Sequence, residues 1–137
     1  MADLETQLER IMLVEDEEDI RAVAELALEA VGGFTLTTCA SGQSALETLK
    51  AFHPQLIVLD VMMPGMDGPT TLKAIREHPE FMATPAIFMT AKVQPDEVNG
   101  YLAQGAVAVI PKPFDPMVLS DQIRDIWSNL EPEQRSE

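Results

Sequence analysis

Short apolar runs alternate along this chain with longer segments in which apolar residues recur every three or four positions. The runs have the length of buried strands, whereas the spacing in the longer segments is that of one face of a helix. The pattern therefore predicts five strands, each followed by a helix. The predicted strands are Ile11–Val14, Phe34–Thr38, Leu56–Leu59, Ala86–Met89 and Ala106–Ile110.

This alternation predicts an α/β fold, in which a doubly wound parallel sheet is covered by helices on both faces and joined by right-handed connections. The first, third and fourth runs are almost continuously apolar, which is typical of strands buried on both faces. The second run alternates apolar and polar residues, and Pro111 and Pro113 follow the fifth, so both runs are expected at sheet edges. The pattern is compatible with the strand order 2-1-3-4-5, but it leaves open which inner strand is central.

Local signals mark several helix ends. Ser41 is a plausible N-cap for the second helix. His53 and His78 each precede a proline and are predicted to end the second and third helices, which favours a structural role for both over phosphorelay chemistry. Asp115 followed by Pro116 is predicted to cap and begin the last helix.

Length and composition predict one domain over residues 9–128 with short polar tails at 1–8 and 129–137, and no further domain is expected. The net charge is −14, and the nine Lys and Arg are scattered, so nucleic-acid binding is not expected. No apolar run approaches the roughly 18 residues of a membrane span. A single cysteine, Cys39, and a start unlike a secretory signal indicate the cytoplasm.

Chemically active side chains follow four of the predicted strands. Glu15 and Asp16 end the first, Asp60 the third and Thr90 the fourth, while Lys112 closely follows the fifth. Because ligands of such sheets bind beyond the carboxyl ends of the strands, these groups are expected to converge at one rim. Singly, Asp16 would be interpreted as a helix cap, Thr90 as a strand residue and Lys112 as solvated surface.

Three crowded carboxylates repel one another, and a hard divalent cation relieves this repulsion. Mg²⁺ prefers oxygen ligands and typically takes one or two carboxylates together with a phosphate. With the cation bound, Asp60 can act as a nucleophile and form an aspartyl phosphate. Lys112 and Thr90 would then supply counter-charge and a hydrogen-bond donor to the phosphoryl oxygens.

Four motifs give the chain a family resemblance: "MLVEDEEDI", "LIVLDVMMPGMDG", "FMTAK" and "VIPKPF". Together they resemble the CheY-like receiver domain of two-component response regulators, over about residues 9 to 128. The resemblance implies a flavodoxin-like fold with order 2-1-3-4-5, Asp60 as phosphoacceptor, and Glu15 with Asp16 as the pair that places Mg²⁺.

The same resemblance implies roles for residues around the acceptor. Met62 would offer its backbone carbonyl to the metal, and Met62 and Ala91 would bring backbone groups to the phosphoryl site. The Thr90 hydroxyl and the Lys112 ammonium would contact the phosphoryl group. The Lys112–Pro113 peptide would be cis, which X–Pro bonds tolerate.

The chain departs from the family pattern at two positions. Glu15 stands where Asp is commoner, and metal binding is expected to survive this change. Val109 stands where the family usually has Tyr or Phe, a ring that swings inward as the Thr moves toward the phosphoryl group. Tyr101 on the fourth helix is expected to be half-buried structure, with a contact in readout as the alternative.

The resulting hypothesis is a phosphoacceptor switch without turnover of an external substrate. A histidine kinase or histidine phosphotransfer protein would supply the phosphoryl group. Phosphorylation would change affinity for a downstream protein at the fourth helix, fifth strand and fifth helix. A phosphorylation-independent protein-binding module is the alternative that Val109 keeps open.

Other classes of protein fit less well. A haloacid-dehalogenase-like phosphatase needs a second Asp two residues after its nucleophile, where this chain has Met62. A flavodoxin-like cofactor binder needs a phosphate loop after the first strand, where "EDEED" would repel phosphate. A glycosidase pair of Asp16 and Asp60 lacks any sign of an aromatic sugar cleft.

Overall fold

A computed structural model describes residues 7–131 of the chain, and in it five parallel strands alternate with five helices. The strands are β1 (Arg10–Val14), β2 (Thr35–Cys39), β3 (Leu56–Asp60), β4 (Ala86–Thr90) and β5 (Ala108–Pro111). The helices are α1 (Glu18–Glu25), α2 (Gly42–Phe52), α3 (Gly68–Ile75), α4 (Pro95–Ala103) and α5 (Leu119–Ser128). A π-helical segment, Leu26–Val31, continues α1, and a 3₁₀ turn, Pro79–Phe81, follows α3.

The five strands form one sheet in the order β2-β1-β3-β4-β5, with every neighbouring pair parallel. The predicted fold class and strand order are therefore confirmed. β3 is the central strand, a point that the sequence pattern left open. All residues of β3 and β4 are buried, whereas β2 and β5 at the edges are partly exposed.

Alternate residues of the inner strands enter two separate cores, one on each face of the sheet. Ile11 and Leu13 of β1 pack into a core that α1 and α5 cover. Met12 and Val14 of the same strand pack into the core under α2 and α3. Full burial of each such side chain contributes roughly 1.5–3 kcal/mol. This two-sided burial fixes the register of the strands, and with it the position of every residue at their ends.

The caps of the helices agree with the sequence in part. Ser41 caps α2, because its hydroxyl oxygen accepts a bond from the Ser44 amide at 3.0 Å. His53 ends α2 in a left-handed conformation with φ 54°. Both His53 and His78 pack their rings near Phe81, at centroid distances of 5.1 and 6.5 Å, which agrees with structural roles.

The start of the last helix was predicted wrongly. The α5 helix begins at Leu119, not at Pro116. The Asp115 carboxylate accepts a bond from the Met117 amide at 2.9 Å, and its carbonyl accepts from the amides of Val118 and Leu119. Asp115 thus caps a separate tight turn before the helix, a local alternative that Asp offers the backbone as readily as a helix cap.

The predicted tails, residues 1–8 and 129–137, lie mostly outside the described residues. Within the described part, Leu8 and Leu130 are both buried in the core beside α1 and α5. Apolar packing therefore reaches past both predicted domain boundaries. In the described part of the chain, no helix combines the length and apolarity that crossing a bilayer requires.

Candidate functional site

The carboxyl edge of the sheet brings together the side chains that follow the strands. Asp60 is the last residue of β3 and Thr90 the last of β4. Glu15 directly follows β1, and Lys112 directly follows β5. Parallel pairing places all four strand ends on the same side, as the sequence analysis expected.

Three carboxylates form an acidic cluster at this edge. Glu15, Asp16 and Asp60 each place one carboxylate oxygen within 4.8 Å of the others. Glu15 is 0% exposed and Asp60 is 2% exposed, while Asp16 is half-buried. Burial strengthens the repulsion between these charges, because little water remains to screen them.

Lys112 bonds directly to two carboxylates of this cluster. Its Nζ donates to Glu15 Oε1 at 3.1 Å and to Asp60 Oδ1 at 3.0 Å. Burial lowers the pKa of Lys112, but its bonds to Asp60 and Glu15 outweigh this effect, so the pKa lies above its usual value. Three carboxylates thus share one side-chain ammonium, so negative charge predominates among the ionised side chains of the cluster.

The environment of Asp60 disfavours its ionised form. The pKa of Asp60 is raised from 3.8 to about 6, chiefly by burial. The bond from Lys112 opposes this rise, while the charge of Glu15 and the neighbouring Asp16 carboxyl contribute to it. A carboxylate held in this way gains stability from any additional positive charge. The site therefore favours binding of a further cation beside Asp60.

The donor set fits a hard divalent cation. All three ligands on offer are carboxylate oxygens, the type that Mg²⁺ prefers. Asp16 Oδ1 is buried and has no hydrogen-bond partner in the described structure. An orphaned buried carboxylate oxygen beside two other carboxylates is the expected arrangement of a metal ligand.

Contacts around Glu15 hold its backbone in place. The Glu15 amide donates to the Cys39 carbonyl at 3.0 Å, and the Glu17 amide donates to Glu15 Oε2 at 3.1 Å. Arg21 Nη1 donates to the Glu15 carbonyl at 2.8 Å. Arg21 was not singled out from the sequence, although a lone cation within the first helix after "EDEED" was a usable signal.

Asp16 does not cap the first helix. The N-cap position is Glu17, whose side chain makes no capping bond. The Asp16 carboxylate lies instead in the acidic cluster, as expected for a candidate ligand.

After β3 the backbone at Gly68 packs closely against the backbone of Asp60 and Val61. The Gly68 amide donates to the Val61 carbonyl at 2.8 Å, and a Cβ at Gly68 would lie 2.5 Å from the Asp60 carbonyl oxygen. Asp67 caps α3, accepting from the Thr70 amide at 2.9 Å. Met62, in the same loop, is 63% exposed at the open edge of the site.

Thr90 and its neighbours border the site from β4 and β5. Thr90 is 2% exposed, and its Oγ1 accepts a bond from the Lys92 amide at 3.1 Å. Ala91 is exposed, and the Lys112 amide donates to the Thr90 carbonyl at 2.9 Å. The Lys112–Pro113 peptide is cis, as expected from the resemblance.

Val109 and Tyr101 are both neighbours of Phe88 on β4. Val109 is half-buried on β5 and is the register partner of Phe88 on β4. Tyr101 is half-buried on α4, and its ring meets that of Phe88 edge-on with centroids 5.7 Å apart. Tyr101 is therefore half-buried, as expected, and whether it also takes part in readout stays a prediction.

Comparison with protein families gives a match over most of the chain. Residues 11–124 match the family model described as response regulator receiver domain. The transcriptional regulatory protein CseB of Streptomyces coelicolor is 37% identical over 116 residues, which cover 85% of this chain and 48% of CseB. The DNA-binding transcriptional regulator NtrC of Escherichia coli is 42% identical over 106 residues, 77% of this chain and 22% of NtrC.

Solved structures show the same likeness. The chemotaxis response regulator CheY4 of Vibrio cholerae superposes with a TM-score of 0.80 at 28% identity, covering 88% of this chain and 99% of CheY4. A response regulator of Desulfuromonas acetoxidans gives 0.78 at 27% identity, covering 90% and 99%. The chain spans about half the length of CseB, so it is similar to one part of that regulator.

Proposed function

This chain belongs to the response regulator receiver domain family, and from that premise we propose that it is a phosphoacceptor switch in which Asp60 takes a phosphoryl group from a phosphohistidine. Receiver domains of response regulators are signalling switches, not enzymes that turn over an external substrate. Response regulators receive their phosphoryl groups from histidine kinases.

One observation carries the proposal. Asp60 is 2% exposed, lies 3.0 Å from the Lys112 ammonium, and shares a 4.8 Å cluster with two other carboxylates. A structural carboxylate is rarely buried beside two other acids, because the repulsion is costly. A nucleophile that must meet a metal-bound phosphoryl group requires this arrangement.

The proposed step breaks one bond and makes one. An Asp60 carboxylate oxygen attacks the phosphorus of the phosphohistidine, and the P–N bond breaks with its electron pair left on the imidazole nitrogen. The other ring nitrogen of the donor carries a proton, so the histidine leaves as neutral imidazole, and the phosphoryl group is carried on Asp60 as an acyl phosphate. Lys112 pairs with the transferred oxygens, and the Thr90 hydroxyl and Ala91 amide donate to them.

Receiver domains bind Mg²⁺ through an acidic pocket, and we propose that Glu15, Asp16, Asp60 and the Met62 carbonyl hold it here. When bound, the ion neutralises charge on the carboxylates and on the phosphoryl oxygens. Glu15 in place of the commoner Asp keeps the oxygen donor that this requires. The backbone of Met62 would also border the phosphoryl group.

Partners follow from the same proposal. The phosphodonor is a histidine kinase or a histidine phosphotransfer protein, and the downstream partner is a protein that contacts α4, β5 and α5. We expect no direct nucleic-acid binding by this chain, because it has 23 acidic and nine basic residues. The domain limits 9–128 and the cytoplasmic location stay predictions.

Intact-mass measurement after incubation with Mg²⁺ and acetyl phosphate or phosphoramidate tests the proposal. We expect the gain of one phosphoryl group, dependent on Mg²⁺ and absent in Asp60→Asn. Asp125→Asn, at an exposed acid of α5, is the matched control and should gain the group normally. Folded protein that gains no mass from either donor would favour the phosphorylation-independent binding module.

A further inference from the structure

The structure places the ring of Tyr101, on α4, against Phe88, whose register partner on β5 is Val109. From this we infer that Tyr101 reports the phosphorylation state of Asp60. The inference rests on the proposed phosphoacceptor role of Asp60. In this chain the aromatic ring that responds to phosphorylation would lie on the helix α4. In the family pattern the corresponding ring lies on β5.

The residues concerned share one face of the sheet. Phe88 and Thr90 are alternate residues of β4 and therefore project to the same side. Val109 is the register partner of Phe88 on β5, so its side chain projects to that side too. The Tyr101 ring covers this face, lying edge-on to Phe88 at 5.7 Å and 79°.

The α4 helix is weakly attached to the sheet. None of its residues is buried. Among the described hydrophobic residues of α4, Tyr101 is the one that packs against the core under α2 and α3. Gly100, next to it, has no atom within 4 Å of the position of a Cβ, so packing does not account for this helix-weakening residue. An element held by few buried contacts shifts at low cost in free energy.

Val109 makes room for this arrangement. Valine carries no ring, and the aromatic surface over Phe88 is supplied from α4 instead. An aromatic side chain at position 109 would extend beside Phe88 into the region that Tyr101 covers. The two positions are therefore alternatives for the same contact.

A change at Asp60 reaches this contact through Thr90. In the unmodified protein the Thr90 hydroxyl oxygen accepts from the Lys92 amide at 3.1 Å. When Thr90 donates to a phosphoryl oxygen on Asp60, its side chain turns toward β3 and leaves space at the end of the face beneath α4. Tyr101 then repacks against Phe88, and α4 moves with it.

Fluorine NMR tests this directly, because Tyr101 is the only tyrosine in the sequence. Incorporation of 3-fluorotyrosine gives a single tyrosine resonance. Beryllium fluoride with Mg²⁺ mimics a phosphoryl group on aspartate, and its bound fluorines resonate separately. One spectrum thus reports both the loading of Asp60 and the surroundings of Tyr101. We expect the tyrosine resonance to shift as the bound signals appear, with neither change in Asp60→Asn.

Two variants separate readout from loading. In Thr90→Ala we expect bound beryllium fluoride signals without the tyrosine shift. In Val109→Phe we expect the resonance of the unloaded protein to move, because two rings compete for Phe88. A full tyrosine shift in Thr90→Ala, or an unmoved resonance in Val109→Phe, would contradict the proposed contact.

The outcomes distinguish this inference from the proposed function. Bound beryllium fluoride with an unshifted tyrosine in the unsubstituted protein would overturn the role of Tyr101 and leave Asp60 as the acceptor. Folded protein that neither binds beryllium fluoride nor gains mass from a phosphodonor would overturn both.

Discussion

The burial that positions Asp60 also destabilises its charged form. A rise of the pKa of Asp60 from 3.8 to about 6 corresponds to about 3 kcal/mol of free energy against the ionised carboxylate. Ionised Asp60 therefore lowers the stability of the metal-free protein. A bound cation or a phosphoryl group changes this penalty. This cost is measurable at the scale of a single residue.

We predict that Asp60→Asn stabilises the metal-free protein at pH 8 by about 1–2 kcal/mol, because the amide keeps an acceptor for Lys112 without the charge. The pKa of Asp60 is raised in the folded state, so its ionised form is penalised above about pH 6. The advantage of the variant is therefore complete above that pH and disappears as pH falls toward 3.8. Urea denaturation with chelator from pH 8 to pH 4 measures it, and an Asp60→Asn protein less stable at pH 8 would contradict it.

Substitution of Lys112 is predicted to lower the stability of the metal-free protein, whereas substitution of Asp60 is predicted to raise it. Lys112→Ala leaves Glu15 and Asp60 buried without their cation and should destabilise the metal-free protein by about 2–4 kcal/mol. Mg²⁺ should restore part of this loss. Lys73→Ala, at an exposed position of α3, is the control and should change stability by less than about 0.5 kcal/mol. Equal urea midpoints for the two variants would show that the Lys112 pairs contribute little.

At the scale of elements, the start of α3 is set by backbone contact. A Cβ at Gly68 would lie 2.5 Å from the Asp60 carbonyl oxygen and 2.9 Å from the Val61 Cα, neither of which belongs to a flexible side chain. We predict that Gly68→Ala destabilises the fold by about 1–3 kcal/mol and slows phosphorylation of Asp60, because β3 or α3 must shift.

Gly100→Ala is the matched substitution within a helix. Its Cβ would meet no atom within 4 Å, so alanine should stabilise α4 by about 0.5–1 kcal/mol through helix propensity alone. Thermal unfolding of both variants, with phosphorylation rates from intact mass, checks the pair. A neutral Gly68→Ala would mean that the close approach is easily relaxed.

Element positions were largely predictable, because apolar periodicity reflects which faces are buried. The cap at Ser41 and the five strands follow from local pattern. The start of α5 did not, because Asp115 forms an equally good local turn with Met117. A helix cap and a tight turn at Asp115 have similar free energies, so the sequence alone does not decide between them. The packing of the surrounding chain selects the turn.

At the scale of the whole molecule, the proposed Mg²⁺ site couples to folding. A ligand that binds only the folded state at 100 times its dissociation constant stabilises by ~2.7 kcal/mol. We predict that Mg²⁺ raises the thermal midpoint more than NaCl at matched ionic strength, since specific ligation adds to screening of the −14 net charge.

Substitution within the acidic cluster tests whether the rise of the thermal midpoint with Mg²⁺ comes from binding at that cluster. Asp16→Asn should weaken Mg²⁺ binding by more than ~10-fold, a loss that even supporting groups of metal sites produce. Asp125→Asn removes the same charge from exposed α5 and should leave the Mg²⁺-dependent gain unchanged. Equal gains in both variants would indicate general screening and not a site.

The sequence by itself determined the fold class, the strands and the residues that end them. Parallel pairing then requires Glu15, Asp60 and Thr90 to share one edge, because strand ends of a doubly wound sheet point the same way. Lys112 follows from the same topology. These conclusions need only periodicity and connectivity.

Only the tertiary structure decided which contacts those residues make. The bond from Arg21 to the Glu15 carbonyl, the approach of Gly68 to Asp60 and the Tyr101–Phe88 contact each join segments whose distance in space the sequence pattern does not encode. Such contacts depend on how far each helix is displaced over the sheet. Close packing of two cores sets that displacement, and no local pattern specifies it.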